Sequence, residues 1–278
     1  MFSLDRPVVF GILNVTPDSF SDGGRWLEPA TAVAHAERLL EEGADGLDVG
    51  GESTRPQGAE PVDVAEELRR VLPVVRELVR RFPGTPISVD TTKSEVADCT
   101  LAEGASIVND VSAFRLDPRM GEICASHGAA AILMHSRGGV HDMATFAHAT
   151  YGEDPVGEMV GELREAVAAA REAGIPPASL VVDPGIGFAK RAEHSLRALA
   201  ELPRFAALGH PVMVGVSRKR FIGEITGVKE PTERVHGTTG ANVVALVNGA
   251  RLFRVHDVRA ARHALDVAWA VLGAGGEA

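Results

Sequence analysis

The chain has 278 residues, a length that allows one large domain or two smaller ones. Its hydrophobic fraction of 45% and charged fraction of 24% are typical of globular proteins and exclude a disordered or collagen-like chain. The 28 basic and 38 acidic residues give a net charge of −10, which argues against non-specific binding to nucleic acid. The longest apolar runs fall short of the ~18 residues of a membrane span, so no membrane partner is expected either.

The chain start and the cysteine content predict a cytoplasmic protein. The first ten residues, MFSLDRPVVF, lack the basic start and apolar segment of a signal peptide. Cys99 and Cys124 have no CxxC spacing and are too few for a disulfide framework. We therefore expect two buried thiols in a reducing compartment.

Eight short β-rich runs alternate with stretches of helical periodicity along the chain. The predicted strands are residues 8–13, 46–50, 86–90, 106–110, 130–135, 180–183, 212–216 and 251–255. A helix is expected to end near Gly43, another to begin at Asp154 and Pro155, and the last to cover residues 260–272 before a frayed tail. No linker divides the chain. These features predict a single domain spanning residues 1–278, a (β/α)8 TIM barrel of the α/β class.

Polar residues occur at the carboxyl end of every predicted strand, where TIM barrels carry their active sites. They are Asn14, Asp48, Asp90, Asn109, Asp110, His135, Asp183, Ser217, Arg218, Lys219, Arg254 and His256. Two further segments, residues 16–24 and 52–58, are rich in Gly, Pro, Ser and Asp. Their composition predicts long loops that could act as lids.

Two chemical groupings stand out among these residues. Asp90, Asp183 and Asn109 offer the acceptors and donor that suit a 2-amino-4-oxo heterocycle such as a pterin or guanine. The alternative is that each aspartate caps the turn that follows it.

The second grouping is Arg254 and His256 at strand 8, with Asn14 and Arg55 near strands 1 and 2. These residues could converge on a phosphate, and a phosphate favours a divalent cation such as Mg²⁺. A surface salt bridge and a core histidine are the alternative. For Lys219 a hydrogen-bonding or stacking role is preferred over a Schiff-base nucleophile.

Seven segments resemble dihydropteroate synthases. They are GILNVTPDSFSDGG at 11–24, DVGGESTRP at 48–56, SVDTTK at 88–93, NDV at 109–111, DPGIGFAK at 183–190, VGVSRKRFIG at 214–223 and RVHDV at 254–258. The resemblance covers nearly the whole chain. It implies a Mg²⁺-dependent, homodimeric transferase of folate biosynthesis. The implied reaction joins 6-hydroxymethyl-7,8-dihydropterin diphosphate to 4-aminobenzoate and releases diphosphate and 7,8-dihydropteroate.

The resemblance also implies a role for individual residues. It assigns the pterin to Asp90, Asn109, Asp183 and Lys219, the diphosphate to Thr54, Arg254 and His256, and the metal to Asn14. It assigns 4-aminobenzoate, with which sulfonamides compete in this family, to Arg55, Pro56, Phe188 and Ser217. Phe20 and Asp22 would complete that site and act in catalysis with Arg55 and Lys219.

Three residues depart from the family pattern. Arg137 introduces a charge after strand 5, Ala189 replaces a glycine, and Phe253 replaces a smaller aliphatic residue. They put loop packing and inhibitor fit in doubt rather than activity. Two rival functions are a methyltetrahydrofolate-dependent methyltransferase barrel and a non-catalytic pterin-binding protein. The intact TPDSFSDGG segment and the Arg254 and His256 pair favour the diphosphate-using enzyme.

Overall fold

The computed structural model describes residues 4–16, 29–53 and 62–275. The strands are β1 (Val8–Asn14), β2 (Gly46–Gly50), β3 (Ile87–Asp90), β4 (Ile107–Asp110), β5 (Ala130–Met134), β6 (Leu180–Asp183), β7 (Met213–Val214) and β8 (Leu252–Val255). The helices are α1 (Pro29–Glu41), α2 (Val64–Arg81), α3 (Ser94–Ala102), α4 (Met120–Ser126), α5 (Pro155–Glu172), α6 (Ala192–Ala200), α7 (Leu202–Ala206), α8 (Arg220–Thr226), α9 (Val235–Val247) and α10 (Val258–Ala274). Within those ranges no helix is both long enough and apolar enough to span a membrane.

The strands form one parallel sheet in the order β6-β5-β4-β3-β2-β1-β8-β7. A bridge between Val182 and Val212 joins the two outer strands and closes the sheet into a barrel. The predicted TIM barrel is confirmed. Because all strands run in the same direction, their carboxyl ends meet at one mouth of the barrel.

Alternation along the strands separates the two sides of the barrel wall. Val8 and Phe10 lie in the apolar cluster inside the barrel with residues of β4, β5, β7 and β8. Val9 and Leu13 belong instead to the larger core between the sheet and the helices. The alternation that places Phe10 inside also places Asn14, four residues later, in the barrel mouth.

Helix boundaries follow local sequence signals. Asp154 precedes α5 and accepts a 3.1 Å hydrogen bond from the Gly157 backbone N–H, while Pro155 is the first helical residue. Gly43, just after α1, has a φ of +101°, a conformation that side chains with a Cβ rarely adopt. The predicted end of α1 near Gly43 and the predicted start of α5 at Asp154 and Pro155 are confirmed.

Seven of the eight strands match the prediction at each end to within one residue, while β7 and the last helix differ by more. The seventh strand was expected over residues 212–216, but β7 contains two residues because Val212 makes only the isolated closing bridge and the chain leaves the sheet at Gly215. The last helix continues to Ala274, so Gly273 does not break it. Residues 276–278 of the expected frayed tail lie outside the described ranges.

Replacing a buried helix side chain tests the core between the sheet and the helices. Leu78 of α2 is fully buried, so Leu78→Ala should lower the free energy of unfolding by about 2–5 kcal/mol. The matched control is Leu196→Ala on α6, where 44% of the residue is exposed and little change is expected. Urea denaturation measures both variants. Equal losses would contradict the assigned packing of α2.

Candidate active site

A cavity of about 730 Å³ opens at the carboxyl ends of the strands. Nine of the residues predicted for binding or catalysis line it, from six strands or the loops that follow them. They are Asn14, Asp90, Asn109, Asp183, Phe188, Ser217, Lys219, Arg254 and His256. The other five predicted residues, Phe20, Asp22, Thr54, Arg55 and Pro56, lie outside the described ranges. The described members of the two predicted groupings therefore share one cavity.

The Arg254 guanidinium lies between two carboxylates in the barrel. Its Nε donates to Asp48 Oδ2 over 2.5 Å, and a terminal nitrogen donates to Asp90 Oδ2 over 2.8 Å. Asn109 Nδ2 donates to the same Asp48 oxygen over 3.2 Å. Arg254 thus forms salt bridges, as the alternative interpretation expects, but its carboxylate partners lie inside the barrel mouth and not on the surface.

Burial dominates the protonation of Asp90. It raises the pKa of this carboxyl to about 7, Arg254 opposes the increase, and Asp48 adds to it. A carboxylate with little water around it is costly unless cations and donors replace the water. Arg254 supplies that compensation for both aspartates.

Asp183 is the last residue of β6, and its side chain caps the turn that follows. Its Oδ1 accepts a 2.7 Å hydrogen bond from the Gly185 backbone N–H, as the alternative interpretation of this aspartate expects. Within the described ranges, Oδ2 has no hydrogen-bond donor, and the residue lines the cavity. Burial raises the pKa of Asp183 to about 6, while the Gly185 N–H and Lys219 oppose the increase. Asp183 therefore caps a turn and also keeps an oxygen for a ligand.

Lys219 packs against an aromatic ring in the cavity wall. Its Nζ lies 3.7 Å from the centroid of the Phe188 ring, a cation–π contact that is compatible with the predicted stacking role. Gly187 has a φ of +81°, and a Cβ there would lie 3.3 Å from the Lys219 Cδ. Burial, aided by Arg254, lowers the pKa of Lys219 to about 7.

Ser217 and His256 connect the loops after β7 and β8. The His256 backbone N–H donates to Ser217 Oγ over 3.1 Å, and Oγ lies 2.9 Å from the His256 Nδ1. A residue expected at the 4-aminobenzoate site thus contacts one expected at the diphosphate site. The two contacts fix the orientation of the imidazole at the cavity.

The three departures from the family pattern do not add an unpaired charge to the cavity. Arg137 donates to Glu158 and Glu162 and stacks on Tyr151, and it is absent from the described lining of the cavity. Phe253 is buried between the sheet and the helices.

Ala189 has a φ of +47°, in the region that favours glycine. Its backbone is held there from two sides, because its N–H donates to Met143 O and its carbonyl accepts from the Tyr151 hydroxyl. These contacts explain how an alanine can replace the glycine at a cost in backbone strain.

Two buried polar residues near the cavity were given no role by the sequence reasoning. Asp48 holds Arg254 and Asn109, as described above. The Nζ of Lys190 lies 2.8 Å from His135 Nδ1 and donates to the Phe188 carbonyl over 3.0 Å. These contacts hold the turn that contains Phe188 in position. A signal for Asp48 existed, since it is an isolated carboxylate within the strand sequence GLDVG.

A magnesium ion would depend on few protein ligands. In the described part of the chain, no group of three or more His, Cys, Asp or Glu side chains could hold a metal. Asn14 offers an amide oxygen at the cavity. Mg²⁺ commonly takes one or two protein ligands together with phosphate oxygens and waters. The residues present fit a cation that arrives with a phosphorylated ligand.

The raised pKa of Asp90 predicts a pH-dependent stability. Because the pKa is about 7 in the folded chain against an ordinary value of 3.8, the folded state binds this proton more tightly. The contribution of the Asp90 proton to the free energy of unfolding is complete below the pKa of Asp90 in the unfolded chain. It is lost as the pH rises to about 7. In Asp90→Asn the free energy of unfolding should fall less steeply between pH 4.5 and pH 7.5, as measured in urea. The control Asp63→Asn, at an exposed position, should keep the wild-type slope, and an unchanged slope in Asp90→Asn would contradict the assignment.

Comparisons with known proteins agree with this geometry. The family model described as "Pterin binding enzyme" matches residues 10–256. Dihydropteroate synthase of Mycobacterium leprae is 45% identical, over 98% of this chain and 96% of the relative. The solved structure of Xanthomonas albilineans dihydropteroate synthase with 4-aminobenzoic acid has a TM-score of 0.89 and 48% identity, covering 97% of this chain and 94% of that one. The same enzyme in complex with 7,8-dihydropteroate gives 0.87 and 46%, covering 97% and 95%. The chain therefore belongs to the dihydropteroate synthase family of pterin-binding enzymes.

Proposed function

We propose that this protein condenses 6-hydroxymethyl-7,8-dihydropterin diphosphate with 4-aminobenzoate to give 7,8-dihydropteroate and diphosphate. The observation that carries the proposal is that the described members of the two predicted groupings line one cavity. The relatives with 4-aminobenzoic acid or 7,8-dihydropteroate bound, at 46–48% identity, support the same reaction.

The pterin ring binds deepest in the barrel. Asp183 Oδ2 and the Asn109 amide accept from the 2-amino edge of the ring, and Lys219 donates to the opposite edge. Asp90 lies beside Arg254 in the same cavity. A ring that pairs with all of these groups replaces the water that they lose on burial.

Cleavage of the bond between the pterin methylene and the diphosphate places positive charge on the pterin and negative charge on the leaving group. The carboxylates of Asp90 and Asp183 stabilise the former. Arg254 and His256 stabilise the latter by donating to phosphate oxygens. Ser217 keeps the His256 ring in place through the contact at Nδ1.

The arylamine then attacks the pterin methylene. Phe188 and the stem of Lys219 offer an apolar surface to the ring of 4-aminobenzoate, and Ser217 offers a polar group near its carboxylate. The amine loses a proton after the attack, with no need for a dedicated base. The roles of Phe20, Asp22, Thr54, Arg55 and Pro56 stay predictions from the sequence.

We also propose Mg²⁺ as the cofactor, with Asn14 as its protein ligand. When bound, the ion neutralises charge on the diphosphate and makes it a better leaving group. The amide oxygen of Asn14 and the absence of a carboxylate cluster in the described ranges are compatible with this mode of binding.

The two rival functions are less well supported. A methyltransferase barrel has no need for the anion-binding pair at the end of β8, which here lines the cavity beside the pterin residues. A non-catalytic binding protein would not need to retain Asn14, Lys219 and Arg254 together. All three line the cavity.

The test is a coupled assay of diphosphate release from the pterin diphosphate, with and without 4-aminobenzoate and Mg²⁺. We expect release only when both are added. Asp183→Asn should weaken pterin binding by ~1–3 kcal/mol, measured by calorimetry, because a buried donor edge loses its charged acceptor. Absence of release under every condition, with pterin binding retained, would favour the non-catalytic protein. Unchanged affinity in Asp183→Asn would refute the role of this residue.

We propose a homodimer formed through α9 and α10. Four valines on these helices are 51–67% exposed, namely Val244, Val247, Val267 and Val271. Between the helices lies an apolar cleft of about 750 Å³. A second copy of the chain offers a matching apolar face, and a two-fold axis lets each face cover the other.

Introducing a charge into the apolar face tests this assembly. Val267→Glu should shift the protein from dimer to monomer in sedimentation experiments, since a carboxylate would be buried without a partner. Ile225→Glu on α8, at a position that is 60% exposed, is the matched control and should stay dimeric. A wild-type monomer, or dissociation in both variants, would contradict the proposed face.

A cytoplasmic location is the last part of the proposal. Cys99 and Cys124 are both free thiols, and Cys124 is buried, which suits a reducing compartment.

A further inference from the structure

Asp48 occupies a constrained position at the centre of the barrel mouth. It is 1% exposed and lies between Gly46 and Gly50 on the inward-facing side of β2. A Cβ on Gly46 would lie 2.7 Å from the Phe10 ring, and one on Gly50 would lie 3.5 Å from the Asp90 Cβ. The two glycines thus let Phe10 and Asp90 pack closely on either side of Asp48.

One oxygen of Asp48 carries both of its hydrogen bonds. Oδ2 accepts from Arg254 Nε over 2.5 Å and from Asn109 Nδ2 over 3.2 Å. Oδ1 is buried without a donor in the described part of the chain. As the ion-pair partner of a guanidinium, Asp48 can only accept hydrogen bonds.

This contact determines which end of the Asn109 amide faces Asp48. Asn109 must present its nitrogen to the carboxylate, so its oxygen lies on the other branch of the planar amide. The amide oxygen has no donor within the described ranges, and Asn109 lines the cavity. A bound ring therefore meets an acceptor at this position.

We propose that Asp48 is a positioning residue that determines selectivity for a 2-amino over a 2-oxo heterocycle, by fixing the Asn109 amide with its oxygen as the ligand's acceptor. This inference rests on the proposed function. An amino group at C2 of the ring donates to the amide oxygen. A carbonyl group at C2 would place two acceptors against each other.

The 2-oxo ring could be accommodated only by rotating the amide. Rotation would bring Asn109 Oδ1 to the place of Nδ2, 3.2 Å from an ionised carboxylate oxygen. Asp48 and Asn109 are 1% and 4% exposed, so water screens that repulsion weakly. The carboxylate thus opposes rotation of the amide and rejects the 2-oxo ring.

Two variants isolate this effect. In Asp48→Asn the oxygen that accepts from Arg254 and faces Asn109 belongs to a neutral amide, so rotating the Asn109 amide no longer brings its oxygen against an ionised carboxylate. In the double variant Asp48→Asn with Asn109→Asp, residue 109 becomes an ionised acceptor that no rotation turns into a donor. The double variant also preserves the number of carboxylates in the site.

The experiment measures the dissociation constants of 6-hydroxymethylpterin and 6-hydroxymethyllumazine by calorimetry. The two probes differ at C2, which carries an amino group in the pterin and an oxo group in the lumazine, and at N1, which gains a proton in the oxo form. We expect the wild type to prefer the pterin, Asp48→Asn to reduce the ratio of the two constants by about tenfold or more, and the double variant to restore it. An unchanged ratio in Asp48→Asn, or no recovery in the double variant, would overturn the proposal.

A buried carboxylate outside the cavity provides the matched control. Glu67 is fully buried and forms an ion pair with Lys93 over 2.6 Å, so Glu67→Gln should lower stability but leave the ratio unchanged. A purely structural role of Asp48 would weaken both probes equally and keep the ratio constant. Failure of the wild type to bind either probe would refute the proposed function itself, which distinguishes the two failures.

Discussion

The ion pairs that the half-buried Arg254 guanidinium makes with Asp48 and Asp90 are the contacts on which the site depends. Without them, two carboxylates would face each other in a mouth where burial already raises the pKa of Asp90, Asp110 and Asp183. The same burial lowers the pKa of Lys219. Charges held with so little water interact strongly with one another and with a charged ligand. In a protein with a net charge of −10, the guanidinium in the barrel mouth is therefore already paired and oriented.

Strand alternation explains how such a mouth can form on an apolar barrel. Residues two apart on a strand face the same side. Asn14 therefore faces the same side of β1 as Phe10, and Arg254 the same side of β8 as Leu252, but nearer to the barrel mouth. The sequence changes from apolar to polar within one strand. The lower layers supply stability and the upper layer supplies recognition, with no separate binding domain.

Much of this arrangement could be predicted from the sequence, because local signals specify it. The eight strands, the Asp154 cap and the polar strand ends follow from composition and spacing. The partner of Arg254 does not, since Asp48 is 206 residues away and the contact requires the register of three neighbouring strands. The orientation of the Asn109 amide depends likewise on a residue 61 positions earlier. The two-residue length of β7 depends on barrel closure, which a local pattern cannot express.

That closure has a mechanical consequence. The seam between β6 and β7 is joined by a single bridge, whereas β1 and β2 share five residue pairs. Asp183 ends β6 and Lys219 follows β7, so the proposed acceptor and donor for opposite edges of the pterin stand on either side of the least connected seam. Fewer backbone hydrogen bonds fix the distance between these two residues than would fix it across the β1–β2 seam. The proposed pterin would therefore lie across the part of the barrel whose width the sheet constrains least.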